Sequence, residues 1–157
     1  MLPLTIFKTV IASTTLISID LIIRNSQGQV LLGKRTNRPA QGFWFVPGGR
    51  ALKNEQLENA FERLLSTELA IDKREAKFLG VYQHFYTDNV TEDDFSTHYI
   101  VLAYEIVFSG NLVELPITQH NEYQWFSQEE LLNHDEVHIH TKWYFQDDKQ
   151  ADSVFSA

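Results

Sequence analysis

Pro47-Gly48-Gly49-Arg50 opens a segment that runs to Leu69-Ala70-Ile71 and carries a carboxylate onto an apolar helical face. With Asn54 as N-cap, the residues from Glu55 onward form an amphipathic helix. Leu57, Ala60, Phe61, Leu64 and Leu65 recur at the spacing of a single apolar stripe. At 100° per residue, Glu68 lies roughly 20° from Leu57, inside that stripe. It also sits at the helix C-terminus, where the macrodipole disfavours an anion. A carboxylate buried there is protonated, paired with Arg or Lys, or bound to a metal ion. The plainer alternative is a core helix whose last Glu reaches back to water. The Gly48-Gly49 pair frees the backbone before the helix for unusual dihedrals and for close approach to a ligand.

Outward from this segment, 157 residues suit one domain, 1–157, with a sizeable core. A hydrophobic share of 43% and an aromatic share of 13% indicate globular folding, not disorder. The net charge of −8 argues against nonspecific nucleic-acid binding, so an anionic substrate needs local arginines or a metal. The absence of cysteine removes disulfide and thiolate chemistry and is compatible with a cytoplasmic location. Met1–Ile23 is apolar but lacks a basic leader and a small-residue cleavage site, and Asp20 interrupts it. It reads as an N-terminal arm, 1–13, followed by a strand, with no membrane span.

Strands are expected over Thr14–Arg24, Gln29–Arg35, Phe78–Tyr86, Thr97–Phe108 and Glu122–Phe126. The third and fourth form a hairpin around an acidic loop. Ser127 and Glu130 make a capping box for a further helix, and a tail containing His138, His140 and Trp143 packs back on the sheet. Strands on both sides of a central helix imply an α+β or sandwich architecture.

The residues able to carry chemistry are few. In Ile17–Ile23, period two puts Asp20 opposite Ile17, Ile19, Leu21 and Ile23, on a solvated outer face or on a functional wall. Arg35, Arg38 and Arg50 lie near the Gly-Gly turn, where a guanidinium fork can grip phosphate oxygens. Of the six histidines, His84, His98, His134, His138 and His140 read as ordinary surface or core imidazoles. No spacing among them makes a zinc site. His120, after Gln119 in a polar loop, can be delivered to a cleft.

Gly49, Glu55, Arg63, Leu65, Glu68 and Ile71 resemble the Nudix box, Gly-x5-Glu-x7-Arg-Glu-U-x-Glu-Glu-x-Gly-U with U apolar. Leu64, Thr67 and Ala70 depart from it. The box, 49–71, implies an α/β/α sandwich with a mixed central sheet and diphosphate chemistry using a divalent cation. Arg35-Thr36-Asn37-Arg38-Pro39-Ala40-Gln41-Gly42, Trp44-Phe45-Val46-Pro47-Gly48-Gly49-Arg50, Gln83-His84-Phe85-Tyr86, Thr97-His98-Tyr99 and Gln119-His120 are similar to the GDP-mannose mannosyl hydrolase branch of that family. The likeness is weakest before Thr14, over Asp72–Lys77 and after Val137. That branch also has Leu and a non-acidic residue at the two altered Glu positions.

The resemblance implies hydrolysis of a GDP-sugar, GDP-mannose or GDP-glucose, by water attack at sugar C1 with inversion. It implies one Mg²⁺ per subunit, or Mn²⁺, on the Gly48 carbonyl, Glu68 and Gln119. Arg35, Arg50 and Tyr99 would steady the diphosphate, Asp20 would stabilise positive charge at C1, and His120 would be the general base. Leu2 and Phe7 would contact guanine, in a homodimer. The rival expectations are a Nudix pyrophosphatase that attacks phosphorus and a non-catalytic nucleotide-sugar sensor.

Overall fold

The computed structural model describes residues 2–72, 75–108 and 120–152. The elements are α1 (Leu4–Ser13), β1 (Leu16–Arg24), β2 (Val30–Arg35), β3 (Trp44–Phe45), β4 (Gly48–Arg50), α2 (Leu57–Leu69), β5 (Lys77–Tyr86), β6 (Thr97–Val107), β7 (His120–Phe126), α3 (Gln128–Asn133), α4 (Ile139–Lys142) and a 3₁₀ turn, Trp143–Phe145. The strands make one mixed sheet in the order β3-β2-β1-β6-β5, with β4 paired to β1 and β7 to β2. β1 and β6 are parallel along their whole shared length, whereas β5 and β6 form the expected antiparallel hairpin. Ser127 and Glu130 complete the expected reciprocal cap of α3.

Both faces of the sheet are covered, which is why β1 is almost continuously apolar. Ile19, Leu21 and Ile23 pack with Ala60, Leu64, Leu65 and Leu69 of α2. Ile22, one residue out of phase, packs instead with Leu131, Val137 and Phe145. Asp20 shares the parity of Ile22 and therefore points under the C-terminal segment, not onto a solvated outer face. The sheet thus separates an α2 layer from a tail layer.

Three local expectations change. The N-cap is Gln56, not Asn54, and Leu57 is 49% exposed and outside the apolar stripe. Glu55 stays in the preceding turn because its carboxylate accepts from the Leu52 N–H at 2.9 Å and from Arg63 Nε at 2.7 Å. The Gly-Gly pair is strand, without positive φ, and closeness of packing requires it. A Cβ on Gly48 would run into the Ile19 carbonyl, and one on Gly49 would come within 2.5 Å of Leu64 Cδ2. Ala70, where the box pattern has glycine, adopts a left-handed conformation (φ 53°, ψ 35°) at the end of α2.

Candidate functional site

A cavity opens at the end of the sheet where β1, β4, β5 and β6 meet. Its wall includes Asp20, Arg35, Gly48, Arg50, His84 and Tyr99. Three arginines reach it, since Arg38 also lines the wall. In a chain of net charge −8 this is a local store of positive charge for an anionic ligand. Each arginine is braced. The Arg35 guanidinium lies 5.5 Å from the Phe45 ring centroid and that of Arg50 lies 4.2 Å from Phe7. Arg38 faces Asp88 at 3.5 Å.

β4 links the two layers. Gly48 pairs with Asp20 of β1 and Gly49 with Ile19, and α2 secures the strand through Arg63, whose Nη2 donates to the Arg50 carbonyl at 2.9 Å. The same guanidinium pairs with Glu55 and holds that carboxyl down to about 2. Glu68 is 5% exposed on the buried side of α2. Desolvation raises its pKa and the charge of Arg63 opposes the shift. Burial, and to a smaller degree the charge of Glu68, push the Tyr123 phenol of β7 up to about 12. Leu64 is buried in the α2 core and Thr67 is exposed.

The tail backs the cavity without lining it. The Trp44 N–H donates to the Glu136 carbonyl at 2.8 Å, and the His138 N–H donates to the Trp44 carbonyl at 3.1 Å. The Val46 N–H donates to Thr141 Oγ1 at 3.2 Å. These bonds seat α4 and the 3₁₀ turn beneath β1, and Tyr144 Oη then donates to Asp20 Oδ2 at 2.6 Å. Burial lifts the Asp20 pKa to about 7, against the lowering effects of the Tyr144 hydrogen bond and the Arg35 charge. His84 and His140 stack at 4.3 Å, and His138 lies 4.5 Å from His140. Desolvation lowers His84 to about 3, His138 to about 4 and His140 to about 2, so all three imidazoles are neutral near pH 7.

The cavity therefore gathers Asp20, Arg35, Gly48, Arg50, Tyr99 and Phe7. Leu2, 50% exposed, is not brought to it. Glu68 does not line the cavity and approaches from the α2 layer. The backbone of His120 opens β7 opposite Arg35; its side chain, and all of Gln119, lie outside the described residues. His84 is a cavity residue, not an ordinary imidazole. With Tyr86, two positions on along β5, it could have been read from the alternation in Gln83-His84-Phe85-Tyr86. Tyr144 carried no local signal.

Oxygen is the donor type that these residues offer a cation: one carboxylate, Glu68, and the Gly48 carbonyl. That set fits a hard divalent ion such as Mg²⁺. Among the described residues no three His, Cys, Asp or Glu come together as a metal cluster. Substrate oxygens and water would complete the shell. No described helix is long and apolar enough to cross a membrane.

The NUDIX domain signature matches residues 14–146. The low-salt glycan biosynthesis protein Agl8 of Haloferax volcanii is 40% identical over 120 residues, 76% of each chain. Among solved structures, a MutT protein from Methanosarcina mazei Go1 superposes with a TM-score of 0.68 at 23% identity, over 83% of this chain and 90% of that one. A MutT NUDIX hydrolase from Burkholderia pseudomallei gives 0.68 at 24% identity, over 85% and 97%. The NUDIX domain of Shewanella oneidensis NrtR, complexed with ADP ribose, gives 0.63 at 20% identity, over 83% and 82%. The mixed sheet, the box helix locked to β4 by Arg63, and a signature across most of the sequence agree: the chain belongs to the Nudix hydrolase family.

Proposed function

We propose that the protein hydrolyses a GDP-sugar, GDP-mannose or GDP-glucose, to GDP and free sugar by attack of water at sugar C1. The observation that carries this reading is Leu64. Where the box pattern has a carboxylate, this chain buries a leucine against Gly49. Such a helix is poorly supplied for a multi-metal attack on phosphorus, whereas substitution at carbon with a diphosphate leaving group needs less. A relative named for glycan biosynthesis supports a sugar-bearing substrate.

Glu68, the Gly48 carbonyl and Gln119 would hold a divalent cation, which supplies positive charge to the diphosphate when bound. Arg35 and Arg50 grip the diphosphate and Tyr99 steadies it. Asp20 faces the positive charge that develops at C1 in an oxocarbenium-like transition state. The C1–O bond breaks with its electron pair passing to GDP. His120 accepts the proton of the attacking water, and inversion follows from attack opposite the leaving group.

Product analysis with GDP-mannose and GDP-glucose in ¹⁸O water tests the reaction. Label in the free sugar, with inverted initial configuration, is expected. Label in the phosphate of a GMP or sugar-phosphate product would show attack on phosphorus, and unchanged substrate with retained binding would show a sensor. His120→Gln is expected to lower kcat by about 10²–10⁴-fold, as loss of a general base does.

A further inference from the structure

Asp20 is approached from behind by a residue that does not line the cavity. We infer that Tyr144 is a positioning residue, holding the Asp20 carboxylate in the orientation that serves the substrate; this rests on the hydrolase reading above. Tyr144 Oη donates to Asp20 Oδ2 at 2.6 Å. The other oxygen, Oδ1, lies on the Gly48 side, 3.0 Å from where a Cβ on that glycine would stand. One oxygen is thus tethered under the tail while the other faces Gly48. An O–H donated to a carboxylate is among the stronger protein hydrogen bonds, and its short length fits that class.

Tyr144 is itself fixed. Its ring meets Tyr82 edge-on at 4.8 Å, and its Oη lies 3.3 Å from His84 Nε2. With the phenol proton committed to Asp20, the phenol oxygen accepts from His84, which requires the proton of the neutral imidazole on Nε2. The stack on His140 at 4.3 Å and the edge of Trp143 at 5.9 Å hold the His84 ring in place. The chain His84 Nε2–H, Tyr144 Oη–H, Asp20 Oδ2 runs from the aromatic cluster to the cavity wall, and each bond polarises the next. The 3₁₀ turn far along the chain sets the angle of the acid on β1.

A double-substitution cycle separates positioning from packing. Tyr144→Phe keeps the ring and is expected to lower kcat for GDP-mannose roughly ten- to hundredfold, the worth of one hydrogen bond to a charged group, with KM little changed. On an Asp20→Ala background the same substitution is expected to leave the residual rate unaltered. Urea unfolding gives a readout free of substrate. Removing the phenol hydroxyl leaves a buried carboxylate unsatisfied, so Asp20→Ala in the same chain should restore part of any stability that Tyr144→Phe loses. Parent-like kcat in Tyr144→Phe, a loss confined to KM, or additivity in both cycles would overturn the inference. If Asp20→Ala itself turns over at the parent rate, the role given to Asp20 falls first. If the parent leaves GDP-sugars intact, the hydrolase reading falls.

Discussion

Each layer beside the sheet holds an acid in a setting unfavourable to charge, and the two are handled differently. In the α2 layer Glu68 is buried near Arg63, five residues earlier on the same helix, and the guanidinium opposes its desolvation. In the tail layer Asp20 is met by a neutral phenol 124 residues away, and Arg35 adds a weaker charge effect. A charge partner within one helix is local and tolerant of drift elsewhere. A partner supplied by the tail exists only while β3, the tail and β1 are assembled. The α2 layer therefore steadies its acid by a local charge, and the tail layer by a hydrogen bond that depends on tertiary assembly.

The contrast is broken most sharply by putting back what the box pattern expects. Leu64→Glu places a carboxylate in the α2 core against Gly49, and about 3–5 kcal/mol of stability should be lost, as for other uncompensated buried charges. No pyrophosphatase activity should appear. Urea unfolding and product analysis check both, and a stable variant that releases GMP would show that a carboxylate at this position supports attack on phosphorus.

Glu68→Gln should leave unfolding near that of the parent but lower the rate by about a hundredfold, equivalent to roughly 2.7 kcal/mol of barrier, with activation shifted to higher Mg²⁺. A metal titration of activity reads the shift. Unchanged metal dependence would remove Glu68 from the ligand set.

The acid response of the tail layer should be visible in its histidines. Their folded pKa values lie below the ordinary 6.5, so the unfolded chain binds protons that the folded chain refuses. Their stabilising contribution is complete above pH 6.5 and is lost as pH falls toward their folded values, about 1.4 kcal/mol per pH unit for each proton refused. Asp20, raised to about 7, works in the opposite sense: its contribution is present at low pH and is lost as pH rises through about 7. His140→Phe keeps the Asp20 side of this balance and should flatten the fall in unfolding free energy between pH 6.5 and 4. An identical slope would mean that the imidazole ionises freely in the folded protein.

Two smaller changes sharpen the account of α2. Ala70 pays for its left-handed backbone, and Ala70→Gly should stabilise by about 1 kcal/mol. Thr67→Glu lies on the exposed side and should alter stability by less than about 0.5 kcal/mol. Thermal melts of the two variants distinguish a strained cap from an ordinary surface site.

The α2 layer was legible in the residues because its rules are local. A 3.6-residue period put Glu68 in the stripe, and Arg63 and Glu55 stood at box spacing. Even so, the helix start was displaced from Asn54, since Glu55 gave its carboxylate to Leu52 and Arg63 before the helix could use it. Alternation in β1 separated Asp20 from Ile19, Leu21 and Ile23, but it could not say what covered the other face. The hairpin of β5 and β6 and the cap at Ser127 were equally readable, each depending on neighbours in the chain.

The mixed α/β/α frame came from the resemblance to the Nudix box, whereas the residues by themselves determined the box helix, the leucine at position 64 and the arginines available near the Gly-Gly pair. Periodicity, spacing and side-chain chemistry are properties of short stretches. Only the tertiary structure decided that Gly48 and Gly49 are needed for strand packing and that Phe7 covers Arg50. It alone put Tyr144 behind Asp20 and His84 against the Tyr144 hydroxyl. Those contacts join segments far apart in the chain, and no local periodicity records which distant side chain will reach a given oxygen.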